Sequence, residues 1–426
     1  MQVDRYGFQL STTSPAAGQA YVNAVDSLLG AMPGDQSGFE EAIRLDPDFA
    51  LAYIGLARAL AVRMQAAPAR EAAARARALS QAGDERVHSH VHALALLVEG
   101  QPVAAFEAIR DHLARWPRDA MVLSPMAGVF GLIGFSGRQA RETEMYDFFK
   151  ALAPQYSDDW WFEMSLAFAA CETGRLDEAM TLIERSLSRQ PRSGNGAHIR
   201  AHVLYEMGEA EQGLAYLQQW IPDYDRAAIM HGHLSWHIAL FALETGRTQL
   251  AWQVFEDAVD PQVNLAPPLN VASDAASFVW RADLAAQQSN PQLRQRIRDY
   301  CVERFPKAGV SFADVHTAMA CAAAGDQAHC AQLADQLRDR LENNKLPAGA
   351  VVPLLVDALC AYGRQDWPGA VEMLKEALPL TVRIGGSRAQ RDLIVLTLQA
   401  ALHKVREVEG DVDFVPILLP IMRGPV

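Results

Sequence analysis

The chain has 426 residues, of which 50% are hydrophobic and 21% charged, and it carries a net charge of −13. Half-apolar composition excludes a disordered chain. The acidic balance excludes a phosphate-binding surface, because Lys and Arg cluster only briefly, as at Arg294, Arg296 and Arg298.

Five odd, widely spaced cysteines make no disulfide framework. The first residues form no charged-then-apolar leader, and no run of 18 apolar residues occurs. The expectation is a soluble, cytoplasmic protein with neither a nucleic-acid nor a membrane partner.

Along the chain, Ala, Leu, Glu, Gln and Arg recur at spacings of three and four, as in 49–64 and 161–172, and strand-like alternation is nearly absent. Short breaks carry glycines at Gly100, Gly137, Gly174, Gly208, Gly246, Gly325 and Gly363. The gaps are 37, 37, 34, 38, 79 and 38, with 79 read as two periods lacking one glycine. A period in the thirties predicts stacked helical hairpins.

The register follows from small residues. Ala93, Ala167, Ala201, Ala239 and Ala318 precede five of these glycines by seven positions, and Ala105, Ala179 and Ala251 follow three of them by five. Small side chains there let the helices of a hairpin approach. With "EEAIRLDPDFALAYIGLARAL" (40–60), this resembles the tetratricopeptide repeat (TPR). The expected fold is all-α, a right-handed superhelix of about ten antiparallel helix pairs. It is read as one continuous solenoid over 1–426, with insertions at 261–273 and 379–387.

The resemblance places the first helix of each pair on the concave side. In that register Trp161, Met164 and Phe168 point inward, followed by His198, His202 and Tyr205, then His233 and His237, then His316 beside Asp314. His90 points inward earlier in the chain. His198/His202 and His233/His237 are two (i, i+4) pairs, each on one stripe of neighbouring helices.

Three readings stay open for this cluster. The histidines are structural, or they form a metal-free acid–base and ligand-binding group, or they hold a divalent metal such as Zn²⁺, with Glu206, Glu244 or Asp314 as further ligands. The glutamate of HExxH is missing. Asp314 is expected to orient His316 if the fold brings them within a hydrogen bond, and Arg391, with Arg281, to hold an anionic group. Trp161, Phe168 and Trp236 supply an apolar wall, with Tyr205 and Ser387 as further contacts. The stretch 385–392, GGSRAQRD, reads either as a phosphate-cradling turn or as a helix start capped by Ser387.

The segments AHIRAHVLYEMGE (197–209), HLSWHIALFALETG (233–246), DAASFVWR (274–281), FADVHTAMA (312–320) and GGSRAQRD (385–392) resemble the tetratricopeptide repeat protein 38 family, and the chain reads as a bacterial member. Weaker likeness extends over GVFGLIGFSGR (128–138) and DDWWF (158–162). The resemblance implies a TPR fold and a role for the inward histidines, but no settled activity. It departs at Ala313, where the family usually has Asn.

The functional expectation is a histidine-rich concave pocket for a small, anionic organic molecule. Acid–base hydrolysis, elimination or cyclisation would act on it. The alternative is a non-catalytic adaptor holding a peptide or partner protein in the groove. A homodimer is compatible with either.

Overall fold

The computed structural model describes residues 2–81, 84–286 and 290–409. These residues are helical throughout, apart from turns and one isolated bridge between Val3 and Gln9. Nine regular hairpins run in chain order: α1 (Pro15–Gly30) with α2 (Asp35–Leu45), α3 (Ala50–Val62) with α4 (Ala66–Ser80), and α5 (Glu85–Val98) with α6 (Pro102–Arg115). A broken pair follows, with a single turn α7 (Ala120–Leu123) and a complete α8 (Arg141–Leu152). Then come α9 (Trp160–Glu172) with α10 (Leu176–Arg189), α11 (Gly194–Met207) with α12 (Ala210–Trp220), and α13 (His231–Glu244) with α14 (Thr248–Val254). The last pairs are α15 (Pro268–Leu284) with α16 (Pro291–Arg304), α17 (Ser311–Ala323) with α18 (Gln327–Glu342), and α19 (Val351–Gly363) with α20 (Trp367–Ala377). A long helix, α21 (Arg388–Glu409), follows them. The fold is an all-α solenoid of TPR type.

Ten residues with positive φ mark the turns within the pairs. They are Ala31, Met64, Gly100, Gly137, Gly174, Gly208, Gly246, Ala286, Gly325 and Gln365. Six are the glycines expected from the sequence. Ala286 (φ 60°) occupies the turn in the double-length gap, so the repeat is present and only its glycine is missing. Gly363 is a correction. It ends α19 in helical geometry, the left-handed turn falls two residues later at Gln365 (φ 67°), and a Cβ at Gly363 would lie 2.9 Å from Ala322. That glycine serves close packing, not the turn.

The two helices of a pair bury different amounts of surface. Every residue of α9 is buried, whereas α10 buries only Ala179, Ile183 and Ser186. First helices therefore lie inside, packed on all sides, and second helices cover them with one apolar stripe. The small residues that gave the register sit at these contacts. Ala93, Ala105, Ala167, Ala179, Ala201, Ala239, Ala251 and Ala318 are all fully buried.

The solenoid winds tightly enough for distant repeats to touch. Ser193 Oγ donates to Gly30 O at 3.2 Å, Asn195 Nδ2 to Leu29 O at 3.0 Å, and the Tyr224 hydroxyl to Ala31 O. α21 packs on α20 and also reaches α15 and α11. Trp280 Nε1 donates to Thr397 Oγ1 at 2.8 Å, and Arg281 Nη2 to Ala389 O at 2.7 Å. No described helix is long and apolar enough to cross a membrane.

Candidate functional site

The two HxxxH pairs meet. α11 and α13 are adjacent first helices, and the four-residue spacing puts two imidazoles of each on facing stripes. His198 Nε2 lies 2.8 Å from His202 Nε2 and 3.0 Å from His233 Nε2. The His237 ring centre stands 4.6 Å from that of His202, 5.0 Å from His233 and 5.2 Å from His198. One nitrogen from each of the four rings falls within 4.8 Å of the others. His202, His233 and His237 are at most 2% exposed, and His198 is 9% exposed.

A buried carboxylate completes the group. His233 Nδ1 is 2.8 Å from Asp274 Oδ2 on α15, so Nδ1 carries the hydrogen and, in the neutral ring, Nε2 turns a lone pair toward the cluster. Burial holds the Asp274 carboxyl above its usual range, against the opposing pull of His233. Trp236 stacks on His233, with ring centres 5.2 Å apart and planes 11° from parallel. Phe168 closes the side toward α9, 5.1 Å from His202 and 5.8 Å from His198.

The electrostatics favour the neutral form of His198, His202 and His237. Burial, followed by the neighbouring imidazoles, lowers His198 and His237 well below the usual histidine value. The same causes bring His202 down to about 3. Neutral imidazoles leave a hydrogen-bonding conflict. His198 Nε2 faces two nitrogens, and the one on His233 is a lone pair. Unless a single N–H is shared between both contacts, two lone pairs oppose each other. Neither nitrogen of His237 has a partner among the described residues, nor does His202 Nδ1. Buried polar atoms are normally satisfied. A cation bound to the ring nitrogens removes the conflict. Ligand nitrogens of a tetrahedral Zn²⁺ at 2.0–2.1 Å would lie roughly 3.3 Å apart, against 2.8 and 3.0 Å for the two Nε2 contacts and at most 4.8 Å across the group. The four rings are a donor set able to hold a metal ion.

The other expected site residues fall in three groups. Tyr205 and Arg281 border the histidine layer. Tyr205 donates to Asp392 Oδ2 at 3.2 Å, and the Arg281 guanidinium lies 5.7 Å from the Trp236 ring. Arg281 is 2% exposed and its Nη1 has no hydrogen-bond partner among the described residues. Its charge contributes to lowering both His237 and His316.

His316 is buried farther along, against Phe312 at 4.3 Å between ring centres. Asp314 does not orient it, contrary to expectation. His316 Nδ1 donates to Phe312 O at 2.8 Å, one helical turn back, and Asp314 accepts from Gly309 N at 3.0 Å. The reason is helical geometry: residues two apart point to different sides. Burial lowers His316 to about 4 and raises Asp314 to about 7.

Trp161, Arg391 and Ser387 stand apart from the histidines. Trp161 packs on Tyr156, with ring centres 6.4 Å apart. Arg391 pairs with Glu142 and donates to Gly386 O. Ser387 Oγ accepts from Gln390 N at 3.2 Å, the capping alternative for that segment. The anion at the start of α21 is internal, since Glu172 Oε2 accepts from Arg388 N at 3.0 Å. Glu206 is held by Arg388 at 3.2 Å. The carboxylate bound to a cluster histidine is Asp274, which the sequence reading did not single out.

Sequence reasoning also missed Glu172. It is 1% exposed, and burial, then Glu142, pushes its carboxyl up to about 8. A second buried group surrounds His90. Asp119 Oδ2 lies 2.9 Å from His90 Nδ1, 3.2 Å from His112 Nε2 and 2.9 Å from Arg86 Nη1. The guanidinium already neutralises that carboxylate, so a cation is disfavoured there.

No family model matches the chain. Among solved structures, the chain is similar to the APC/C hetero-tetramer Cut9–Hcn1, at 12% identity over 92% of this chain and 78% of that one, with a TM-score of 0.42. It is also similar to the P58(IPK) TPR domain, at 12% identity over 92% and 99% of the two chains, with a TM-score of 0.24.

Proposed function

We propose that the four-histidine group is a metal centre of the zinc class, and that the protein uses it in acid–base or hydrolytic chemistry on a small anionic organic molecule. The observation that carries this reading is the meeting of three Nε2 atoms at 2.8 and 3.0 Å in a buried cluster. Neutral imidazole is the ligating form. Asp274 would act as the outer partner that fixes the His233 tautomer and raises its basicity. Held by three of the four rings, a bound divalent ion would keep one position open, and would there supply Lewis acidity and an activated water at neutral pH.

The chain's own residues would do the rest. Arg281, with Nη1 unengaged, would hold a carboxylate or similar anion. His316, its Nδ1 committed to Phe312 O, keeps a lone pair on Nε2 and could take a proton. Phe168 and Trp236 would exclude water and strengthen every charge interaction inside.

The alternative, a peptide or partner protein in the concave groove, has less support. The inward histidines are buried, and α21, packed on α20, also contacts the inner helices α11 and α15. The test is titration of chelator-treated protein with Co²⁺. Visible bands saturating at about one ion per chain are expected in the parent chain and not in His202→Ala or His237→Ala. Equal uptake by all three would refute the assignment.

A further inference from the structure

The interior polar groups form two layers one helical turn apart, and the second contains an acid without an assigned role. Along α11, His202 is followed four residues later by Glu206. Along α9, Phe168, which packs on His198 and His202, is followed four residues later by Glu172. Side chains four apart share a helix face and sit roughly 5–6 Å from one another. Glu172 therefore lies about one turn from the histidines and faces the same interior.

Its two oxygens differ. Oε2 accepts from Arg388 N at 3.0 Å, which fixes the carboxyl, while Oε1 is buried and has no partner among the described residues. Around it stand Arg141 and Glu142 from α8, Glu206 from α11, and Arg388 and Arg391 from α21, with the Cys171 thiol next in the chain. Arg141 and Arg391 are both engaged with Glu142, and Arg388 with Glu206. The cations nearest Glu172 are thus shared with other carboxylates, and a neutral acid suits the position.

We infer that Glu172 is the proton donor of this site, presenting Oε1–H to an oxygen of a small carboxylate bound between it and the histidines. The inference rests on the metal-centre reading for the location of the substrate. In the transfer, the O–H bond on Oε1 breaks and an O–H bond forms on the substrate oxygen. The electron pair stays on Glu172, whose new charge faces the Arg388 N–H. The raised carboxyl value agrees with a proton held at neutral pH.

The experiment uses the full chain loaded with Co²⁺, with acetate as probe, in the parent protein and in Glu172→Gln. Acetate affinity is followed through the visible bands between pH 7 and 9.5. Gln donates at every pH, whereas Glu172 stops donating once ionised. The parent should lose about tenfold more affinity over this range than Glu172→Gln, with equal Co²⁺ stoichiometry and similar helical circular dichroism. Coincident pH profiles would overturn the inference.

The carbonyl stretch of a protonated carboxylic acid, followed by infrared titration, gives the second readout. In an Asp314→Asn background, which removes the other buried carboxyl raised to about 7, a band present at pH 7 and lost by pH 9.5 supports Glu172 as the acid, even if Glu172→Gln fails to fold. No such band overturns it. If the parent binds no Co²⁺, the metal-centre reading falls, and the infrared band alone decides the proton-donor assignment.

Discussion

His233 Nδ1 lies 2.8 Å from Asp274 Oδ2, and this contact ties two successive inner helices, α13 and α15, at the histidine cluster. It sets which nitrogen of His233 carries the hydrogen and turns the other toward His198.

Removing this outer partner should weaken metal binding without abolishing it. Asp274→Ala is expected to lower affinity 10–100-fold, as measured by competition with a chromophoric chelator. Asp274→Asn, whose amide oxygen can still accept from Nδ1–H, should lose less. Unchanged affinity in both would mean that His233 is oriented by something else.

The metal-free protein should lose stability as pH falls below neutrality. Folding lowers His198, His202 and His237, so the unfolded chain binds more protons below its ordinary histidine value near 6.5. The contribution is complete above about pH 6.5 and declines as pH drops toward the folded value, about 3 for His202. Urea melts from pH 7 to 4 should show the decline, and His202→Gln should make it shallower. Glu172 acts in the opposite sense, because a raised carboxyl favours the folded state less as pH climbs toward about 8.

The turn residues permit a stability prediction that is independent of the site. Ala286 (φ 60°) and Gln365 (φ 67°) hold left-handed conformations where other repeats have glycine. Ala286→Gly and Gln365→Gly should each raise stability by up to about 1 kcal/mol, the left-handed penalty less the added chain entropy. Gly246→Ala (φ 73°) should cost a similar amount. Thermal melts of the three variants check both signs.

The start of α21 depends on a close approach. A Cβ on Gly386 (φ 73°) would lie 2.3 Å from the Phe312 ring. Gly386→Ala should displace the segment that carries Arg388 and so loosen α21, seen as faster hydrogen exchange at its first turns. Exchange unchanged from the parent would show that Phe312 can move aside.

The register and the meeting of the four histidines were legible because both depend on local spacing. Alanines and glycines at fixed offsets define the pairs, and HxxxH on adjacent inner helices must converge. Asp274 was hidden by the repeat that lacks its glycine. With Ala286 as the turn residue, Asp274 falls twelve positions before it, against thirteen for His233 before Gly246, so the two take nearly the same register position in successive repeats. Glu172, Arg388 and Glu142 were not legible, since they meet only when α21 folds back across repeats more than 200 residues away. The hydrogen bond on which the Asp314 role depended does not form, because residues two apart on a helix point to different sides.

The central claim is that a metal joins the imidazoles of His198, His202, His233 and His237. Its most direct measurement is an anomalous difference map at the zinc edge, from crystals of protein loaded with Zn²⁺. The account predicts one strong peak within bonding distance of nitrogens from at least three of these rings, with Asp274 still on His233 Nδ1. No peak among them, with Zn²⁺ found only at surface residues or not at all, would contradict it.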